Sequence, residues 1–92
     1  MLDTLICNAN VIDGAGRAAF RADVGIRDGV IEAVGALSGA QAAETIDAAG
    51  RCLTPGFIDI HRHADAALFR PGFGEAELCQ GLTTLVNGNC GM

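Results

Sequence analysis

The sequence predicts an α/β chain in which a small β segment feeds a strand–helix–strand unit. Three observations carry this. Two short β-branched runs flank Asp28-Gly29 within ADVGIRDGVIEAVG, a Pro55-Gly56 turn precedes the apolar run Phe57, Ile58 and Ile60, and the helix-forming stretch GEAELCQG leads directly into the β-branched LTTLVNGNCG.

Thr4 to Ile12 alternates loosely between apolar and polar residues and is closed by Asp13-Gly14-Ala15-Gly16, which is a strand and its turn. From Ala22 the chain reads as a β-hairpin, because Asp-Gly supplies the two positive-φ positions of a two-residue turn. Ser38 to Glu44 is small and polar, a loop or one helical turn, and ETIDAAG is a further short strand ending at Gly50. The first fifty residues are thus expected to be mostly antiparallel β.

The character changes at Arg51, and the boundary is expected between Gly50 and Pro55. Phe57, Ile58 and Ile60 make the pattern of a buried strand, interrupted by Asp59. Gly74 to Gly81 holds good helix formers between glycines, and LTTLVNGNCG is a strand running into a Gly-Asn loop. Strand, helix and strand make one βαβ unit.

Composition narrows the function. A formal charge of −5, with six basic residues scattered singly, argues against a nucleic-acid or anionic-membrane surface, since both need clustered Lys and Arg. There is no basic n-region followed by an apolar stretch, and no segment approaches the roughly 20 apolar residues of a membrane span, so a cytoplasmic protein is expected. Four widely spread cysteines read as reduced thiols. Cys7, Cys52 and Cys79 each lie in an element's apolar pattern and are expected to be small buried side chains. No Gly-x-Gly-x-x-Gly lies between a strand and a helix, which excludes that phosphate-binding fingerprint.

His61 and His63 carry the chemistry. Two residues apart on a strand, they leave the same face and can converge on one metal ion, and Asp65 continues that face if the strand persists. They fall at the C-terminal end of the strand, where parallel α/β folds gather ligands. The alternative from spacing alone is two polar residues facing solvent. Cys90, in Asn87-Gly88-Asn89-Cys90-Gly91, ends the second strand, where a thiolate would face the same cavity; the alternative is a packed thiol. Arg62 projects away from the histidines, as a surface charge or a partner for Asp59.

The string PGFIDIHRH, Pro55 to His63, resembles the P-G-x-I-D-x-H-x-H strand that opens the catalytic barrel of the amidohydrolase superfamily. LICNANVIDG, the DVGIRDGVIEAVG hairpin and TIDAAG follow the order of that superfamily's N-terminal β-sandwich segment. GLTTLVNGNCG, Gly81 to Gly91, is similar to the stretch that gives the N-acyl-D-amino-acid deacylases (D-aminoacylases) a cysteine ligand to zinc, where many relatives use a carbamylated lysine; Cys90 stands 27 residues after His63.

The resemblance implies an N-terminal part of a small β-sandwich, residues 1–54, followed by the first βαβ of a metal-dependent (β/α)8 barrel, residues 55–92, incomplete in this chain because such a barrel takes about 250 residues. It implies a Zn2+ cofactor held by His61, His63 and Cys90, and a catalytic aspartate outside this chain. Zinc and that aspartate would activate water to hydrolyse the amide of an N-acyl-D-amino acid. The implied partners are the remainder of the barrel and that small-molecule substrate, with neither nucleic acid nor membrane. The Arg62 and Ala64 positions depart from the family's usual residues. Two other readings stand beside it: a dihydroorotase- or hydantoinase-like cyclic amidohydrolase, favoured less because of Asn89-Cys90-Gly91, and a non-catalytic β-rich module.

Overall fold

The computed structural model describes residues 1–64, 67 and 69–88. The chain divides into two units, Met1–Pro55 and Gly56–Met92.

The first unit is one sheet built around β1 (Leu2–Val11), with β2 (Phe20–Arg27), β3 (Val30–Gly35), β4 (Ala42–Asp47) and β5 (Cys52–Leu53) in the order β3-β2-β1-β4, and β5 also on β1. The hairpin forms where Asp28-Gly29 predicts it. Arg27 pairs with Val30, and the two residues between them have φ of 53° and 74°, the pair of positive values that a type I′ turn requires.

The loose alternation of β1 has a physical cause. Thr4 and Ile6 pair with Ile26 and Val24, whereas Ala9 and Val11 pair with Ala22 and Phe20, so β2 presents even-numbered residues throughout while β1 changes from even to odd. The change is a β-bulge, with Asn8 at φ 57°. Asp23 receives the bulge: its Oδ1 accepts from the Asn8 N–H at 2.9 Å and its Oδ2 from the Leu37 N–H at 3.0 Å. On the other side Asp47 Oδ1 accepts from Asn8 Nδ2 at 3.1 Å and from the Ala49 N–H at 2.9 Å. These bonds favour the ionised carboxylates: the Asn8 N–H, then the Leu37 N–H, hold Asp23 below the usual range, and the Asn8 side-chain amide, then the Ala49 N–H, do the same for Asp47. The bulge keeps one apolar face continuous: Ala9, Val11 and Val24 are buried, and Phe20, Ala22, Ile26, Ala48 and Leu53 pack on them.

The sheet is mixed, which corrects the antiparallel expectation. β1 is antiparallel to β2 but parallel to β4 and β5. Residues 36–41 do not turn back as a hairpin beside β3; they carry the chain across to the far side of β1, where the Leu2 N–H donates to the Gln41 carbonyl at 2.9 Å. They turn at Ser38-Gly39 without a helical turn. Gly25 makes room for this passage, since a Cβ there would stand 2.8 Å from Leu2 Cδ1 and 3.3 Å from Leu37 Cδ1.

The second unit pairs β6 (Phe57–Arg62) in parallel with β7 (Leu82–Asn87), with α1 (Glu75–Cys79) between them in sequence. A parallel pair joined through a helix is the βαβ unit the sequence predicts. The helix is short, five residues, opening after Gly74 at φ 92° with Glu75 and Glu77 in its first turn. The apolar run of β6 is not buried: Phe57, Ile58 and Ile60 are 54, 61 and 73% exposed. Two strands and one five-residue helix offer too little surface to cover a parallel sheet on both faces. The cysteine expectation is corrected too. Cys7 is half-buried, but Cys52 lies exposed on the two-residue β5 and Cys79 exposed on α1, which has no buried residue.

Candidate metal centre

His61 is the fifth residue of β6 and His63 follows the strand directly. The ladder with β7 shifts between Asp59 and Arg62, and within that stretch Asp59 Oδ1 accepts from the His61 N–H at 3.1 Å, a local bond that fixes the backbone at the first histidine. Just past the second, the Ala64 N–H donates to Asn87 Oδ1 at 3.3 Å, which ties the buried Ala64 to the end of β7. The segment bearing the two imidazoles is thus fastened on both sides.

The His61 and His63 rings lie with centroids 5.3 Å apart and planes 52° from parallel. Zinc binds imidazole nitrogen at about 2.0–2.1 Å; adding the radius of the ring and a tetrahedral angle puts two such centroids roughly 5 Å apart on a shared ion. The observed centroid separation matches that spacing. Among the described residues no group of three or more His, Cys, Asp or Glu side chains is placed to hold a metal. Cys90 and Asp65 lie outside the described residues.

Arg62, between the histidines in sequence, is committed elsewhere. Its Nη2 lies 2.5 Å from Glu77 Oε1 on α1 and its Nη1 3.7 Å from Asp59 Oδ2. Of the two roles the sequence left open for Arg62, the structure selects the partner of Asp59 and adds Glu77. Two carboxylates neutralise the guanidinium, so it puts no unbalanced positive charge against a cation held by its neighbours. Glu77 has no signal in the sequence, because it stands 15 residues from Arg62 and the crossover alone brings the two together.

Beside His63 opens a cavity of about 360 Å³, lined among others by Arg62, Ala67, Arg70, Phe73 and Glu77. Spacing gives Arg70 no signal, since no periodic sequence pattern surrounds it.

Two family models match the chain. The one described as the amidohydrolase family covers residues 44–92, and the one described as the urease alpha-subunit N-terminal domain covers residues 1–52. An N-acyl-D-glutamate deacylase of Alcaligenes xylosoxydans xylosoxydans is 49% identical over 92 residues, 99% of this chain and 19% of the relative. A D-aminoacylase of the same organism is 42% identical over 90 residues, 98% of this chain and 19% of the relative. Among solved structures, an N-acyl-D-glutamate deacylase from Bordetella bronchiseptica, complexed with zinc and a phosphonate inhibitor that mimics the tetrahedral intermediate, superposes with a TM-score of 0.93 at 43% identity, covering 99% of this chain and 19% of that one. The chain spans about a fifth of the length of the curated relatives it matches. A paired-histidine strand end in a parallel βαβ unit, preceded by a β sheet and matched on these terms, makes this chain a member of the amidohydrolase family.

Proposed function

We propose that this chain supplies the first metal-binding strand of a zinc-dependent amidohydrolase that hydrolyses the amide bond of N-acyl-D-amino acids. The observation that carries the reading is the 5.3 Å separation of the His61 and His63 rings at the C-terminal end of a strand in a parallel pair. His61, His63 and Cys90 hold the ion in this reading. Cys90 stands three residues beyond Asn87, which pairs with Arg62, and it falls in the stretch Gly81 to Gly91 that is similar to the one giving D-aminoacylases their cysteine ligand. Zinc bound there would supply Lewis acidity toward the acyl carbonyl and lower the pKa of the attacking water. The chain's own residues do the positioning: Asp59 and Asn87 fix the backbone on either side of the histidine pair, and Glu77 and Asp59 hold the Arg62 charge away from it.

Residues 1–54 then form part of a β-sandwich, and residues 55–92 begin a (β/α)8 barrel whose remainder is the partner of this chain and provides the catalytic aspartate. The relatives that act on N-acyl-D-glutamate and other N-acyl-D-amino acids support that substrate class. No helix among the described residues is long and apolar enough to cross a membrane, and Cys7, Cys52 and Cys79 are free thiols, in keeping with a reducing, cytoplasmic setting. The test is turnover of N-acetyl-D-amino acids and of hydantoins by the assembled enzyme, with metal analysis before and after chelation. Deacylation that is lost on chelation and restored by zinc is the expected result. Hydantoin opening without deacylation, or deacylation indifferent to zinc removal, would overturn the reading.

A further inference from the structure

We propose that Arg62 and Glu77 are positioning residues for His61, acting on it through Asp59, an inference that rests on the zinc reading. Asp59 pairs with Leu85 and Arg62 with Asn87, so two residues of β6, Ile60 and His61, are set against one of β7, Val86. β6 therefore carries one extra residue, and His61 lies in that stretch. In a regular strand residues three apart leave opposite faces. The extra residue brings Asp59 and Arg62 to one side, where Asp59 Oδ2 stands 3.7 Å from Arg62 Nη1. The other oxygen of the same carboxylate, Oδ1, accepts from the His61 N–H at 3.1 Å. One carboxylate thus bridges the backbone of the first histidine and the guanidinium.

Glu77 completes the chain of contacts. Arg62 has a long side chain with several free rotations, and a 3.7 Å approach to one carboxylate does not by itself immobilise it. Glu77 Oε1 accepts from Arg62 Nη2 at 2.5 Å, and the two side chains are 17 and 34% exposed, so water screens this pair less than one at the open surface. A guanidinium is planar and carries its terminal nitrogens as one rigid unit, so holding Nη2 on α1 also holds Nη1 against Asp59. The Asp59 carboxylate then keeps the rotamer that sets Oδ1 on the His61 N–H. Because the link ends on the backbone, Arg62 points away from the histidines and still sets where one of them stands. The support matters, since a ligand displaced by more than about 0.5 Å leaves the productive geometry of a site.

The experiment measures the zinc dissociation constant of the assembled enzyme by competition with a chelator. The variants are Arg62→Met, Arg62→Lys, Glu77→Gln and Asp59→Asn, with Arg62→Met and Glu77→Gln repeated in the Asp59→Asn background. Asp59→Asn keeps an oxygen for the His61 N–H and removes the charge that Arg62 holds. Losing a group that orients a metal histidine weakens binding about 10- to 100-fold, so Arg62→Met should raise the constant about tenfold and Glu77→Gln, one step further off, about threefold. Arg62→Lys should fall between Arg62→Met and wild type. In the Asp59→Asn background Arg62→Met and Glu77→Gln should each add less than about twofold, because the link to His61 is already cut. Arg27→Gln, which breaks the ion pair with Glu32 between β2 and β3, should leave the constant unchanged. Equal effects in the two backgrounds would overturn the proposal and reduce the pair to fastening α1, and so would an unchanged constant in Arg62→Met. Either result leaves the deacylase reading intact. A wild-type enzyme that holds no zinc would overturn both.

Discussion

Two glycines separate clashes that neighbouring side chains can relieve from one they cannot. A Cβ on Gly56 would lie 2.1 Å from Thr83 Oγ1, 2.4 Å from its Cγ2 and 2.7 Å from its Cβ. Thr83 is the second residue of β7, and its Cβ moves only if the strand moves. Gly56 has no positive φ, so Gly56→Ala meets no backbone obstacle and the collision alone decides the outcome. Overpacking of this kind costs about 1–3 kcal/mol. At Gly25 the nearest atoms are the methyl ends of Leu2 and Leu37, 2.8 to 3.3 Å away, which yield by rotating a χ angle. Gly25→Ala should therefore cost less, about 1 kcal/mol. The assay is thermal unfolding of the assembled protein together with zinc content, since a displaced β6 carries His61 with it. Gly56→Ala should lower the Tm more than Gly25→Ala and lose zinc, and adding Thr83→Gly should restore part of both. A Gly56→Ala protein with wild-type Tm and full zinc would refute the steric reasoning.

Cys90→Ala should lower both bound zinc and deacylase turnover, whereas Cys79→Ala, an exposed thiol on α1, should leave both near wild type; metal analysis of the two purified proteins decides it. Asp23 and Asp47 have folded pKa values below their unfolded ones, so the stability they contribute is present above about pH 4 and is lost as pH falls through the lower folded values. Acid titration followed by circular dichroism should show Asp23→Asn with a shallower dependence below pH 4, and an unchanged curve would count against the bulge contacts. Residues 1–92 expressed alone should oligomerise or aggregate, because Phe57, Ile58 and Ile60 stay exposed; a monomeric size-exclusion peak with one cooperative melting transition would contradict this.

Much of this was legible in the residues. Asp28-Gly29 fixes the hairpin by local backbone chemistry alone, and the parallel β6–β7 pair follows from an apolar run, a helix-forming stretch and a β-branched run in succession. The β1–β4 pairing was not legible, because its direction depends on where residues 36–41 carry the chain and on the absence of a side chain at Gly25. In the candidate site, the His-x-His spacing gives the ring pair directly. Glu77 meets Arg62 across 15 residues of chain, and no periodicity records that. The apolar run of β6 states what the strand needs for burial, and Phe57, Ile58 and Ile60 stand exposed because these residues do not supply the covering surface.

The bulge at Asn8 also makes β1 intolerant of misalignment. A strand of strict alternation can slide by two residues and still present an apolar face, but β1 changes phase once, and only one alignment sets that change against Asp23 and Asp47. Any slip would put part of the strand's apolar set in water and strand the Asn8 N–H without its acceptor. The central strand therefore carries its own alignment mark, readable by both neighbours.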